Sequence, residues 1–175
     1  MNDLIAMLRG GDRRSIGKVD EVIRCLDENS ERFQELVMGL LNPDGLVRMR
    51  CADAIEKVCH VHTDWLRPHT EFFLDQAATQ TQQEVRWHMA QIIPRLSLTR
   101  SQRTQAIRTL RGYLNDPSVI VRVNALQALA ELSERDSPLR QDIVPLIKRV
   151  VTKGTAAERA RGRRLLGELQ SERKR

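Results

Sequence analysis

Four segments of the chain repeat one arrangement of apolar positions behind an arginine: residues 48–55 (RMRCADAI), 86–93 (RWHMAQII), 122–129 (RVNALQAL) and 159–166 (RARGRRLL). Counted from each arginine, positions +7 and +10 are apolar in every copy: Ile55 and Val58, Ile93 and Leu96, Leu129 and Leu132, Leu166 and Leu169. Position +4 is Ala52, Ala90, Leu126 and finally Arg163. Offsets of 4, 7 and 10 fall on one side of an α-helix, so each segment predicts an amphipathic helix with a single core-facing stripe. The arginines follow one another at intervals of 38, 36 and 37 residues. Such a period marks a repeat architecture.

Another apolar stretch precedes each arginine: 36–41, Phe72 to Leu74 with Ala77 and Ala78, Ile107 with Leu110 and Leu114, and 143–151. The unit is therefore two helices, A and B, joined by a tight turn. Turn chemistry agrees at Asn42-Pro43-Asp44-Gly45, Asn115-Asp116-Pro117-Ser118 and Lys153-Gly154-Thr155. Thr81 with Glu84, and Thr155 with Glu158, predict capping boxes at the start of helix B. Asp116-Pro117 and Ser137-Pro138 predict an N-cap followed by proline at the first helical position. Pro68, Pro94 and Pro145 sit inside apolar patterns and predict kinks or helix ends. Leu4, Ile5 and Leu8, then Val19, Val22, Ile23 and Leu26, form a degenerate first pair after which four full pairs follow. Two antiparallel helices cannot bury both stripes alone, so neighbouring pairs must stack into a continuous core. Arg163, standing where its counterparts are Ala or Leu, gives the last helix the polar outer face of a cap.

A helix–turn–helix unit of this length, with an Asx-Pro turn and an arginine early in helix B, resembles the HEAT-like repeats, and the resemblance extends over nearly the whole chain. It is strongest at residues 115–130 (NDPSVIVRVNALQALA). The resemblance implies an all-α, right-handed α-α superhelix of about five pairs, one domain over 1–175 with repeats near 1–28, 29–62, 63–98, 99–135 and 136–172. It also implies that Asp116 and Arg122 match the acid and arginine that hydrogen-bond along the stack. Arg48, Arg86 and Arg159 occupy the arginine's place in the other repeats, although Arg48 follows Asp44 by four residues instead of six, and Arg86 and Arg159 have no acid at the matching place. These arginines read as ties between neighbouring turns in preference to a phosphate-binding row.

Length and composition fit a folded chain: 175 residues, 41% hydrophobic, 30% charged. No apolar run approaches the roughly 20 residues of a membrane span, and the N-terminus lacks the basic start of a secretory leader. Cys51 and Cys59 are about 12 Å apart along one helix, too far to bridge. Reduced thiols of this kind suggest a cytoplasmic protein. Six aromatic residues are few for modules that stack bases on exposed rings. The net charge of +6 is uneven: residues 19–84 carry −7, 85–115 carry +6 on six arginines without an acid, and 153–175 carry +5.

The candidate binding surface is the polar side of the B helices, which a stacked solenoid turns to its concave face. Its positions are Arg50, His88, Asn124 and Arg161 at +2, Asp53, Gln91, Gln127 and Arg164 at +5, and Lys57, Arg95, Glu131 and Glu168 at +9. Bases outnumber acids along it, which suits an acidic protein or peptide and makes Arg50, Arg95, Arg161 and Arg164 the leading contacts. Two other partners fit the charge pattern: nucleic acid on the basic half from Arg86 to Arg111 and beyond Lys153, or a second copy meeting head to tail, with a monomer expected otherwise. His60, His62 and His69 lie near Cys59 and Asp64, but their spacing matches no zinc signature, so neither metal nor cofactor is expected. No nucleophile elbow or phosphate loop is present, which points away from an enzyme. Relatives of similar repeat build include alkylpurine DNA glycosylases, which use Trp and Asp near the lesion, and lyases that attach bilin pigments. Trp65 and Trp87 are the tryptophans here, and Trp87, which follows the aligned arginine, reads as a packing residue.

Overall fold

The computed structural model describes residues 3–12, 14–134 and 136–172, the side chain of residue 172 excepted. Among them every regular element is helical, and the elements fall into two compact units, Met1–Thr99 and Arg100–Arg175. The boundary lies where the repeat pattern ends its third unit.

The first unit opens with α1 (Leu4–Met7), capped by Asp3, whose carboxylate accepts from the N–H groups of Ile5 and Ala6 at 2.9 and 3.1 Å. A loop containing Gly10, Gly11 and Gly17, all in the left-handed region, leads to α2 (Val19–Glu28). α3 (Phe33–Gly39) and α4 (Gly45–Val58) form the second pair, with Asp44 capping α4 through the N–H of Leu46. A 3-10 segment, Thr63–His69, contains Pro68 and runs into the short α5 (Thr70–Phe72) and a π-turn, Phe73–Ala77. α6 (Gln83–Ile92) ends in a 3-10 turn, Ile93–Arg95, because Pro94 supplies no N–H to continue the ladder. α4 packs against α2, α3 and α6, and therefore buries Cys51, Ala52, Ala54, Ile55 and Val58 together.

α3 approaches α4 and α1 at Gly39. A Cβ there would collide with Cys51 Sγ and stand 2.8 Å from Ile5 Cδ1. Gly39→Leu is expected to destabilise by about 3 kcal/mol or more, as overpacked cores do. Gly112→Ala, in a helix with open space around it, is expected to stabilise by up to about 1 kcal/mol through helix propensity. Urea unfolding of the two variants checks both signs.

The second unit consists of α7 (Arg100–Tyr113), α8 (Val119–Ser133), α9 (Ser137–Lys153) and α10 (Ala156–Glu172). α8 touches α7, α9 and α10 and buries two flanks, one through Ala125 and Ala128, the other through Leu126 and Leu129. α10 buries one flank only, through Gly162, Leu165 and Leu169. Leu166, expected in the core, is half-buried beside an exposed Arg163, because no described element stacks on that side of α10.

Several helix starts differ from expectation. Thr155 and Glu158 do form the reciprocal box, with Glu158 Oε2 accepting from the Thr155 N–H at 2.8 Å. α6 is instead capped at Gln82, whose amide is engaged with the preceding repeat. α8 starts after Ser118; Asp116 forms an Asx turn onto the Ser118 N–H at 2.8 Å. α9 is capped by Asp136, one residue before Ser137, through the N–H of Leu139. Pro145 does not end α9 and lies on its exposed side.

Candidate functional site on the second helices

Each aligned arginine donates to a carbonyl of its own A–B turn, five or six residues earlier. Arg48 Nη1 reaches Asn42 O at 2.6 Å, Arg86 Nε reaches Gln80 O at 2.7 Å, Arg122 Nη1 reaches Asp116 O at 2.7 Å, and Arg159 Nη1 reaches Gly154 O at 2.8 Å. Two of them also reach into the next repeat: Arg48 Nε donates to Gln82 Oε1 at 2.8 Å, and Arg122 Nε to Glu158 Oε1 at 2.7 Å. The carbonyl of Asp116 receives Arg122, while its carboxylate shapes the turn. The hydrogen bond from Arg122, with those from Thr155, holds the Glu158 carboxyl down at about 2 against the opposing effect of burial.

The polar face of α4 and α6 departs from the expected open surface. Arg50 is only 2% exposed. Its guanidinium donates to four carbonyls of the loop after α1: Leu8 at 2.8 Å, Gly10 at 2.6 Å, Asp12 at 3.2 Å and Ser15 at 3.1 and 3.2 Å. Arg50 is thus an internal clasp, not a partner contact, because the glycine-bearing loop folds over it. Lys57 bridges Asp53 at 3.0 Å and Asp20 at 3.5 Å. Arg95 donates to Glu56 Oε1 at 3.0 Å, to Cys59 Sγ at 3.4 Å and, through Nη2, lies 3.0 Å from His60 Nε2.

His88, also expected on the open face, is 8% exposed. Burial pushes its pKa down, and the charges of Asp53 and Glu56 only partly oppose this. Its Nδ1 and Gln91 Oε1, one helical turn on, are buried, and the Gln91 side chain acts on the ring as a hydrogen-bond partner that also opposes the shift. Arg14, Ser15, Ile16, Met49, Arg50, Asp53, Trp87 and His88 enclose a cleft of about 190 Å³. The sequence places Asp53 on the face but gives no hint of the loop residues or of Glu56. The glycines at 10, 11 and 17 were the available sign that the loop turns back.

In the second unit the expected residues converge. Arg161 Nη1 and Arg164 Nη2 donate to the same oxygen, Gln127 Oε1, at 2.9 and 2.8 Å. Gln127 Nε2 donates to Glu131 at 2.8 Å, and Arg164 Nε lies 3.2 Å from Glu168. Burial, and then the charge of Arg164, lower the pKa of Arg161. Asn124 turns back to the carbonyl of Ile120 at 3.0 Å.

The histidines do not assemble. His60 meets Glu56 at 2.7 Å, His62 stacks on Trp65 with ring centres 4.2 Å apart, and His69 lies between Phe33 and Phe73. Among the described residues no group of three His, Cys, Asp or Glu side chains is arranged to hold a metal ion. The arginine-rich middle finds acids in space that it lacks in sequence. Arg103 pairs with Asp136 at 3.1 Å and Arg111 with Asp142 at 3.2 Å, as Arg95 does with Glu56. Arg173, Lys174 and Arg175 of the basic tail lie outside the described residues. No described helix is long and apolar enough to cross a membrane.

The family model of the HEAT repeat matches residues 106–135, within the fourth expected repeat. No curated protein matches the sequence. Among solved structures, the complex of CpcE and CpcF of phycocyanin lyase from Nostoc sp. PCC7120 is similar with a TM-score of 0.68 at 19% identity, over 93% of this chain and 95% of that one. An engineered protein is similar with a TM-score of 0.63 at 17% identity, over 97% of this chain and 78% of that one. Identities this low show the fold alone: an all-α array of helix pairs. Residues 106–135 match the HEAT repeat, and the chain around them folds as an all-α helical-repeat protein.

Proposed function

We propose that the protein is a non-enzymatic interaction module that binds an acidic protein or peptide through the polar face of α8 and α10. The observation that carries this reading is the shared use of Gln127 Oε1 by Arg161 and Arg164. Two guanidinium groups held against one neutral oxygen repel each other, and a carboxylate arriving between them relieves that repulsion while accepting charge-assisted hydrogen bonds. Arg164 also meets Glu168, but that pair is about half exposed on both sides, whereas the corresponding cations of the first unit, Lys57 and Arg95, face the more deeply buried Asp53 and Glu56 and are less readily exchanged for a partner's carboxylate. Pairing of Arg95, Arg103 and Arg111 with carboxylates likewise weakens the case for a nucleic-acid surface on the middle of the chain. Likeness of fold to a phycocyanin lyase complex does not carry that activity across at 19% identity.

The test uses a fluorescein-labelled, glutamate-rich dodecapeptide and, in parallel, a random 20-base-pair duplex, followed by anisotropy at about 50 mM and 200 mM salt. The peptide is expected to bind, to weaken with salt, and to lose at least tenfold in affinity to Arg161→Glu with Arg164→Glu. Equal affinity for wild type and the double variant removes the reading. Tighter binding of the duplex, with a steep salt slope, replaces it with nucleic-acid recognition.

A further inference from the structure

Another cleft, of about 240 Å³, lies on the seam between the two helix pairs of the second unit and draws its lining from all four helices or their turns. Leu114, Leu126, Leu146 and Val150 give it an apolar wall; Leu126 is buried and the other three are half-buried. Arg122 and Glu158 line it with the latch between the pairs, whose carboxylate is held by Arg122 at 2.7 Å and by the Thr155 N–H at 2.8 Å. The remaining members, Arg111, Asn115 and Arg149, are exposed and form the rim.

Three guanidinium groups against one carboxylate leave this lining positive. The carboxylate is already taken by Arg122. Arg149 has no ion-pair partner among the described residues. Arg111 gives only Nη2 to a carboxylate, Asp142 at 3.2 Å, in a pair 46% and 69% exposed, and keeps Nε and Nη1 for another acceptor. Exposed pairs of that kind hold their partners weakly. An apolar wall under a cationic rim selects a ligand of the same build, an aliphatic body that ends in an anion. The wall separates this from a general attraction for anions, because a bare hydrated ion reaches the arginines without taking the place of water against the leucines. We infer that the cleft binds a short aliphatic carboxylate, with its chain against Leu114, Leu146 and Val150 and its oxygens accepting charge-assisted hydrogen bonds from Arg111 and Arg149. The volume equals that of about eight waters at about 30 Å³ each, room for a short chain and not for a long one. No residue of the cleft belongs to the face of Gln127, Arg161 and Arg164, so the site stands whether or not that face takes an acidic peptide. The carboxylate comes either from a free small acid or from the C-terminus of a partner that ends in an aliphatic residue; the recognition chemistry is the same.

Nitrogen-15-labelled full-length protein titrated with hexanoate in low-chloride buffer tests this, with the side-chain Nε–H signals of Arg111 and Arg149 and the amides of Asn115 and Val150 as reporters. Saturable shifts confined to the cleft are expected. A fully buried methylene is worth about fourfold in affinity. Hexanoate, four methylenes longer than acetate, is therefore expected to bind at least tenfold tighter than acetate, and at least tenfold tighter than the uncharged hexanamide. Arg111→Gln with Arg149→Gln is expected to weaken hexanoate at least tenfold; should the variant not fold, the comparison of the three ligands in wild type still decides. An absence of saturable shifts, equal binding of acetate or hexanamide, or tighter binding of inorganic phosphate than of hexanoate would overturn the inference. An acetyl-Ala-Leu arm with a free carboxyl group separates the two sources: tighter binding than hexanoate assigns the carboxylate to a partner's C-terminus, and binding no tighter assigns it to a free acid.

Discussion

Arg50→Met lowers the stability of the protein by about 3 kcal/mol or more and releases the loop of residues 9–18. Hydrogen bonds to a charged group contribute about 1.5–3 kcal/mol each, although bonds that share one guanidinium do not add. Arg50 makes five such contacts to four carbonyls at 2.6–3.2 Å. The loop has little else to hold it: Gly10, Gly11 and Gly17 favour no single conformation, and most of its side chains are exposed. Part of the loss is recovered when the freed carbonyls meet water, so the clearest readout is amide exchange in residues 9–18, together with the urea midpoint. Arg50→Lys restores only a fraction, since an ammonium offers three donors without the planar fork that spans four acceptors. Unchanged exchange in the loop would show that something other than the clasp holds it.

Acid weakens the second unit through Glu158. Its carboxyl titrates at about 2 in the folded protein against an ordinary 4.5, first because of the hydrogen bond from Arg122. A folded-state pKa below the unfolded one contributes stability that is complete above about 4.5 and is lost as pH falls through about 2. At 1.36 kcal/mol per pH unit the gap is worth about 3 kcal/mol at neutral pH, an upper figure since both side chains keep some contact with water. Glu158→Gln is therefore expected to cost most near pH 6 and almost nothing near pH 2. Unfolding free energies of wild type and variant across that range test it, and a difference that stays constant with pH would refute the assignment.

Repeat length, the buried stripe and the pairing of helices were legible because a 3.6-residue periodicity survives in sequence whatever the partner helix is. The arginines were legible as well, since a fixed distance from turn to helix B puts each guanidinium over its own turn. Arg50 is not legible for the opposite reason. Two residues beyond the aligned arginine it belongs to the polar side of α4, and only the return of a loop 32–42 residues earlier in the chain buries it. The repeat pattern selects Leu166 where the structure buries Leu165, because adjacent apolar residues fit a helical stripe almost equally well and the choice depends on which flank of α10 is covered. Charge summed along the chain gave +6 for residues 85–115, yet Arg95, Arg103 and Arg111 meet acids 39, 33 and 31 residues away. That is about one repeat, a separation that segment totals cannot register. Capping shifted by one or two residues at α8 and α9, where Asp, Ser and Pro lie side by side and each can serve.

Consecutive helix pairs are latched by different chemistry in the two halves. In the first half the acceptor for the latch is an amide, Gln82, which carries no proton to gain; in the second it is a carboxylate, Glu158. Protons therefore reach the latch of one seam and not that of the other: acidification from about 4.5 toward 2 withdraws the charge that Arg122 grips, while the amide that Arg48 grips stays as it was.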